Sequence, residues 1–474
     1  MCLIKAQDKI KKTSELSSFS LLPLRKELLT NLVSLNYKDM TAVQKQSLPI
    51  MLQGFDVITQ AKTGSGKTAA FGLALLNFLN INWYAIQALV ICPTRELAEQ
   101  VTQVLRKLAR TLPNIKILNL SGGMPMTPQS ESLKYGAHIV VGTPGRLQKH
   151  LAKGSLSLQN LKLLVLDEAD RMLDMGFFDP IQQIISLTPL KRQTLLFSAT
   201  YPAQIKELAS KFLSNPKTII IEEEKTDVTI EQCFYEVARQ ADKLTLLKTL
   251  LLHHQPSSTL IFCNTKEHVT QLTSWLLKEG FYAMALHGDM EQSLRDLTLI
   301  RFANYSCPIL VATDVAARGL DIEELAAVIN YDLAFEPEVH IHRIGRTGRA
   351  EKSGKAISIT IPADASRLLL IEQQLGFPLP WGEINKLSQK SDSLNPPQMV
   401  TLNLTLGKKD KIRPSDIVGT LTKGAGLAYD SIGKINITTF NSYVAVVREQ
   451  ADRACHYLCT GKLKGRKVGV RKLK

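Results

Sequence analysis

The stretch Ala61-Lys62-Thr63-Gly64-Ser65-Gly66-Lys67-Thr68 packs two glycines, a lysine and a closing hydroxyl into eight positions, between the runs DVIT (56–59) and FGLALLNFL (71–79). Glycines let backbone N–H groups close around phosphate oxygens, and the start of a following helix favours negative charge. The arrangement predicts a phosphate cradle of Gly64, Ser65 and Gly66, with Lys67 reaching the β- and γ-phosphates of ATP and the Thr68 hydroxyl on Mg2+. Ala61 occupies the place of the first glycine in the usual G-x-x-x-x-G-K-[ST] pattern. Further along, Asp167-Glu168-Ala169-Asp170 ends the apolar run LKLLVL. Carboxylates there are too costly to desolvate without a partner such as a metal ion. Asp167 is the expected Mg2+ ligand, often through water, and Glu168 the group that orients or deprotonates an attacking water. Asp170 is read as a coupling residue or, more plainly, as a helix cap. The chemistry these groups suit is nucleotide hydrolysis.

Short β-branched runs must carry these loops. DVIT is followed by ALVIC (88–92), IVV (139–141), LKLLVL (161–166) and TLLF (194–197), alternating with helical patterns. Near-continuous apolar strands between helices predict a parallel sheet covered on both faces, an α/β fold. EEEKTDV at 222–228 interrupts the alternation, which resumes with TLIFC (259–263), ILVAT (309–313), AVINYDL (327–333) and AISITI (356–361). The second half echoes the first: LVICPTRE at 89–96 matches LIFCNTKE at 260–267, LSGGM at 120–124 matches LHGDM at 286–290, and IVVGT at 139–143 matches ILVAT at 309–313. Nearly constant offsets of 171, 166 and 170 predict tandem copies of one fold, the second without GKT. A polar, proline-containing stretch, SQKSDSLNPPQ (388–398), then reads as a linker. Beyond it the order is strand, helix, two strands, helix, strand, that of a split βαβ domain. The expected divisions are 1–221, 222–381, a linker over 382–398, and a small α+β domain over 399–474.

The net charge of +15 is unevenly placed. Residues 398–474 hold fifteen Lys and Arg against five Asp and Glu, so most of the basic excess belongs to the tail and predicts a polyanionic partner there. Seven cysteines form no C-x-x-C pair, which favours reduced core residues over a zinc site. No apolar run approaches a membrane span, and the polar N-terminal stretch with Lys5, Lys9, Lys11 and Lys12 lacks a signal-peptide core. A cytoplasmic monomer is the expectation.

Taken together, GKT, DEAD, Ser198-Ala199-Thr200 and His342-Arg343-Ile344-Gly345-Arg346-Thr347-Gly348-Arg349 resemble the DEAD-box RNA helicases, over residues 19 to about 375. The resemblance implies two tandem RecA-like parallel-sheet lobes that hydrolyse ATP with Mg2+ and unwind short RNA duplexes locally. It implies that Gln44 reads the adenine edge, Tyr37 stacks on its face and Phe19 is the upstream aromatic, in a motif where Asn36 and Ala42 replace the usual Gly and Pro. RNA-binding loops are implied at Thr94-Arg95, Gly122-Gly123 and Thr143 with Arg146, and in the second lobe at Asn264-Thr265, Gly288 with Arg295, and Thr313. Gly319 and Asp321 are placed near the ribose. Arg346 and Arg349 match arginine fingers, which stabilise charge building on the γ-phosphoryl group. Asp170, Ser198, Thr200 and His342 are the implied couplers of the ATP and RNA sites.

In the tail, NSYVAV (441–446) sits where an RRM carries its stacking strand, with Tyr443 at one stacking position and no aromatic in the first strand. GKKDKIRPSDIVG, GKINI and GKLKGRKVGVRKLK resemble the RRM-like RNA-binding domain of a bacterial group of these helicases directed to 23S ribosomal RNA and large-subunit assembly. Tyr443, the Lys408–Arg413 loop, Lys464, Arg466 and Lys467 are the expected RNA contacts. The alternative is a general RNA chaperone or mRNA-decay helicase with a nonspecific basic extension. A non-enzymatic RNA clamp would need a degraded nucleotide site, and none of its groups is missing.

Overall fold

The computed structural model describes residues 18–61, 64–201, 203–221, 230–317, 325–348, 354–388 and 395–473. In the first lobe, β1 (Val57–Gln60), β2 (Ala88–Ile91), β3 (Ile117–Leu120), β4 (Ile139–Gly142), β5 (Leu163–Leu166), β6 (Gln193–Ser198) and β7 (Lys217–Ile220) form one sheet in the order β3-β4-β2-β5-β6-β1-β7. Every pairing is parallel. The central strands are buried on both faces because ALVI and LLVL carry apolar side chains in either direction. One face holds a core built around Phe71, Leu105 and Phe197, the other a core built around Leu147, Met172 and Ile184.

The second lobe repeats this plan. β8 (Ile230–Glu236), β9 (Thr259–Phe262), β10 (Ala283–Leu286), β11 (Ile309–Ala312), β12 (Ala327–Asn330) and β13 (Gly354–Thr360) lie in the order β10-β11-β9-β12-β13-β8, all parallel. Substituting β8 for β1, β9 for β2 and so on through β13 for β6 reproduces the order of the first sheet without its β7. The echo in sequence is thus an echo in topology. Along the outer edge of β8, Phe234 N–H donates to the Pro380 carbonyl and Gly382 N–H to the Phe234 carbonyl, each at 2.8 Å. Ser388 N–H donates to His253 Nδ1 at 3.2 Å. The polar segment that composition marks as a linker therefore begins as part of the second lobe.

The tail forms β14 (Met399–Leu404), β15 (Ile432–Ile437), β16 (Ser442–Val447) and β17 (Val470–Lys472), an antiparallel sheet ordered β15-β16-β14-β17. Leu402, Leu404, Val444 and Val446 point to one face, where they pack with Ile417, Leu421 and Leu458. On the opposite face Thr401 is fully buried. Its hydroxyl lies 2.7 Å from Ser306 Oγ and accepts from Asn304 Nδ2 at 3.3 Å, both on the turn before β11. Among the described residues no helix is long and apolar enough to cross a membrane.

His340, on the Pro337–Ile344 helix, is fully buried and stacked on Phe234 with ring centroids 5.7 Å apart. Neither ring nitrogen has a hydrogen-bond partner among the described residues. Burial, helped by the Arg343 charge, pushes this imidazole down to about 4. Below its ordinary 6.5 the unfolded chain takes up a proton that the folded lobe refuses until about 4, so this group erodes stability as pH falls through that window. His340→Phe is expected to stabilise the second lobe by about 1 kcal/mol at neutral pH, by removing unpaired polar atoms, and by more at pH 5. Melting curves of both proteins between pH 5 and 8 measure this, and parallel pH profiles would rule out the titration.

Candidate active site

The Lys67–Phe78 helix is anchored to β6 by Phe71 against Phe197, ring centroids 5.3 Å apart, and that contact fixes the loop before it. Gly66, at φ +93°, caps the helix start, where a Cβ would meet Gln44 Nε2 at 2.6 Å and Thr41 Oγ1 at 2.9 Å. Only glycine fits both that backbone angle and that space. Lys67 is buried and its Nζ donates to the Ala61 carbonyl at 2.8 Å, so the replacement of the first glycine leaves the lysine held. Lys62 and Thr63 lie outside the described residues.

Gln44 joins the same corner. Its Oε1 accepts from Thr41 N–H at 3.0 Å and its Nε2 donates to the Gly66 carbonyl at 3.2 Å. Tyr37 is half-buried and meets Phe19 edge-on at 6.2 Å; Phe19 itself is sealed in the core, which leaves Tyr37 as the ring able to face a base. Asn36, where the family usually has glycine, takes φ +60°, the left-handed angle that glycine adopts freely and asparagine tolerates.

At the end of β5, Asp167 is almost fully buried and its Oδ1 has no hydrogen-bond partner among the described residues. Burial pushes its carboxyl up to about 7, against the pull of Lys67 and with the push of Glu168. A buried oxygen facing the Lys67 charge suits a divalent cation shared with phosphates, and Thr68 follows Lys67 on the helix. Glu168 sits at φ 52°, ψ 52°, a left-handed angle that costs a non-glycine residue about 1 kcal/mol or more. Its Oε2 accepts from Arg171 Nη1 at 2.6 Å, with both side chains buried. Asp170 Oδ2 accepts from Ala199 N–H at 3.0 Å, Thr200 N–H at 2.8 Å and Thr200 Oγ1 at 3.0 Å, while Asp170 N–H donates to Ser198 Oγ at 3.2 Å. Burial opposes the Asp170 charge, yet these bonds with Lys67 and Arg171 hold its carboxyl below the ordinary value. Asp170, Ser198 and Thr200 thus form one hydrogen-bonded unit.

The candidate RNA loops repeat between lobes as the strands do. Thr94 Oγ1 accepts from Leu97 N–H at 3.2 Å and Thr265 Oγ1 from His268 N–H at 3.1 Å, each capping a helix. Thr143 N–H donates to the Leu120 carbonyl and Thr313 N–H to the Leu286 carbonyl, both at 3.3 Å. Gly123 and Gly288 are exposed, and the Arg95 guanidinium lies directly over Gly122. Arg146 is turned inward, donating from Nη1 to Gln129 Oε1 and from Nη2 to the Met124 carbonyl, both at 2.8 Å. In the second lobe His342 is half-buried on the Pro337–Ile344 helix, and Arg346 is buried in the turn that follows it. Arg349, Gly319 and Asp321 lie outside the described residues.

Sequence reasoning passed over three residues. Arg343, inside the HRIGRTGR run, is fully buried and grips Asp314 with two bonds of 2.6 and 2.7 Å, plus Asn264 Oδ1 and the Asp332 carbonyl. Arg171 holds Glu168. Phe440 is 60% exposed with Lys409 Nζ 4.4 Å from its ring centre. In the tail, Lys464 Nζ donates to the Lys411 carbonyl at 2.8 Å and Arg466 Nη1 to Asp410 at 2.8 Å, drawing both basic residues onto the Lys408–Arg413 loop; Lys467 is exposed beside them. Tyr443 does not stand on an open platform. It is half-buried on the face whose Thr401 the second lobe covers, and burial raises its hydroxyl.

Two parallel-sheet lobes, the first bearing a glycine-rich phosphate loop and a strand-end DEAD, define a nucleic-acid-dependent ATPase. Residues 41–208 match the DEAD/DEAH box helicase family and residues 242–351 the helicase conserved C-terminal domain. Saccharomyces cerevisiae Dbp5 bound to RNA and ADP BeF3 superposes with a TM-score of 0.71 at 31% identity, over 78% of this chain and 97% of that one. The chain belongs to the DEAD-box family of ATP-dependent RNA helicases. More particularly, residues 401–472 match the DbpA RNA binding domain. The chain is 50% identical to the ATP-dependent RNA helicase DbpA of Escherichia coli strain K12 over 446 residues, 94% of this chain and 97% of that protein. It is 39% identical to the DbpA of Bacillus subtilis strain 168 over 479 residues, 96% of this chain and 99% of that protein.

Because the folded lobe holds a proton on Asp167 more tightly than the unfolded chain does, this carboxyl costs stability as pH rises from 3.8 towards about 7. Asp167→Asn is therefore expected to raise the melting temperature of the nucleotide-free protein at pH 8, by roughly 1–2 kcal/mol or a few degrees, while ATP hydrolysis is lost. Calorimetry at pH 6 and 8 tests it. An unchanged or lowered midpoint at pH 8 would mean that the carboxylate is already well paired.

Proposed function

We propose that this helicase unwinds short duplexes of 23S ribosomal RNA during large-subunit assembly, addressed there by residues 399–474. The observation that carries the reading is the tail itself, a folded domain of the DbpA RNA-binding type. Its basic residues gather at one end around the Lys408–Arg413 loop, beside the exposed ring of Phe440. Lysines and arginines on phosphates give affinity that falls steeply with salt but bind any RNA. Discrimination needs a shaped contact, and a ring held by Lys409 can stack on an unpaired base. The tail would hold the RNA while the lobes work on a neighbouring duplex, raising its local concentration without a catalytic contact.

In the ATP cycle we assign the phosphates to the backbone of Gly64, Ser65 and Gly66 and to Lys67, the adenine edge to Gln44 and its face to Tyr37. Thr68 and Asp167 would hold Mg2+, which when bound neutralises charge between the β- and γ-phosphates. Glu168 accepts the proton of the attacking water, and Arg346 of the second lobe, with Arg349, balances charge on the transferred group. Hydrolysis then depends on both lobes, and RNA gripped by both favours the state in which it occurs. Asp170 with Ser198 and Thr200, and His342 across from them in role, relay the RNA state to the ATP site.

Lys67→Ala and Glu168→Gln are expected to lower RNA-stimulated ATPase by about 10²–10⁴-fold. Glu168→Gln should still bind ATP and RNA. Turnover by Glu168→Gln at the parent rate would remove Glu168 as the base.

Removing residues 399–474 should leave basal ATPase intact and abolish preferential stimulation by 23S RNA over an equal mass of unrelated RNA. Phe440→Ala should weaken binding of 23S RNA roughly tenfold, as loss of one stacked base does, with little change for unrelated RNA. A truncated protein that keeps the preference would place specificity in the lobes and favour the general RNA chaperone.

A further inference from the structure

The two arginine-bearing loops and the glycine loop of the first lobe do not hold their shape independently. Gln129, on the Met126–Lys134 helix, stands where they meet. Its Oε1 receives two donors, Arg146 Nη1 at 2.8 Å and His150 Nε2 at 3.0 Å. Its Nε2 donates to the Ser121 carbonyl at 3.1 Å, one residue before Gly122-Gly123. Arg146 closes the ring by donating to the Met124 carbonyl at 2.8 Å, one residue after those glycines. The glycine pair is therefore pinned from both sides through one side-chain amide, and Arg95 rests on it from above.

His150 completes the arrangement from beneath. It is fully buried, and its Nδ1 lies 2.8 Å from Ser155 Oγ. Burial, with the Arg146 and Lys153 charges, pushes the imidazole below its ordinary value, so it is neutral and has one donor and one acceptor. With Nε2–H given to Gln129, Nδ1 accepts from the Ser155 hydroxyl. The Ser155 hydroxyl also lies 3.2 Å from the His150 carbonyl. Because a guanidinium can only donate, Arg146 fixes the amide's orientation: oxygen towards Arg146 and His150, nitrogen towards Ser121.

We infer that Gln129 is a positioning residue for RNA binding by the first lobe, acting through Arg146 and the Gly122-Gly123 backbone rather than by touching RNA. The inference rests on the reading of Arg95, Gly122, Gly123, Thr143 and Arg146 as the RNA grip. Exposed glycine amides and an arginine bind a phosphate backbone well only when their spacing is set before the strand arrives. Leucine at position 129 keeps the side-chain volume but leaves Arg146 Nη1, His150 Nε2 and the Ser121 carbonyl without their partner. Glutamate keeps an acceptor for Arg146 and His150 and loses the donor to the Ser121 carbonyl and, at 3.5 Å, to the Asn119 carbonyl.

The test uses the full chain and a short fluorescent oligouridylate in the presence of a non-hydrolysable ATP analogue. Gln129→Leu is expected to weaken oligouridylate binding about tenfold or more, and Gln129→Glu by less. Affinity for the analogue alone should stay at the parent value, while the melting temperature falls by a few degrees because buried polar groups lose a partner. An unchanged RNA affinity in Gln129→Leu overturns the inference, as does a parallel loss of RNA affinity, nucleotide affinity and melting temperature, which would mark a merely structural residue. Arg95→Ala separates the two levels. If it weakens oligouridylate binding and Gln129→Leu does not, the inference alone fails. If neither does, the reading of these loops as the RNA grip fails with it.

Discussion

Three carboxylates at the end of β5 face a problem of solvation. Asp167, Glu168 and Asp170 are each buried to within a few per cent, and ions so placed cost several kcal/mol unless neighbours repay them. Each finds a different settlement. Asp170 is satisfied by four bonds with the Ser198-Ala199-Thr200 turn, Glu168 is met by Arg171 in a strained backbone, and Asp167 is left with an oxygen unpaired and its charge disfavoured. Much of the first lobe serves this arrangement. Its apolar strands exclude water from the strand end, the Lys67–Phe78 helix brings a cation to it, and the Phe71–Phe197 contact keeps that helix in place.

The gradient among the three carboxylates is what makes chemistry possible. A group already satisfied can serve as a fixed strut, and Asp170 links the turn after β6 to the strand end. An unsatisfied one draws in a ligand. The unfavourable energy is therefore concentrated at Asp167, and packing elsewhere tolerates it.

Much of this was legible in the chain. Constant offsets between LVICPTRE and LIFCNTKE foretold a shared strand order, and the spacing of GKT and DEAD foretold the strand–loop–helix geometry, because both are local patterns repeated in register. What sequence could not show depends on contacts between distant segments. Gln129 looks like any polar residue on a short helix until Arg146 and His150 arrive, 17 and 21 residues later. Arg343 sits in a run of four positive or potentially positive residues that does not say which of them is buried, yet its side chain is fully buried. Tyr443 occupies a stacking position by register, but whether that face meets RNA or protein is decided where Asn304 and Ser306 cover Thr401 on β14, nearly a hundred residues before that strand. Phe440 was overlooked because it lies in a turn rather than on a strand.

The segment from Pro380 to Gly382 has a bearing on how the protein can be divided. It lies in parallel beside β8 and takes up the hydrogen-bonding groups of Phe234, so β8 ends the sheet without presenting a bare margin at that residue. A fragment cut after the Ala365–Leu375 helix would keep every motif of the second lobe and lose that cover. The exposed backbone of β8 would then be a template for self-association between copies, a hazard of unprotected sheet margins rather than of weakened folding. The cover of β8 thus reaches Gly382, well past the HRIGRTGR run.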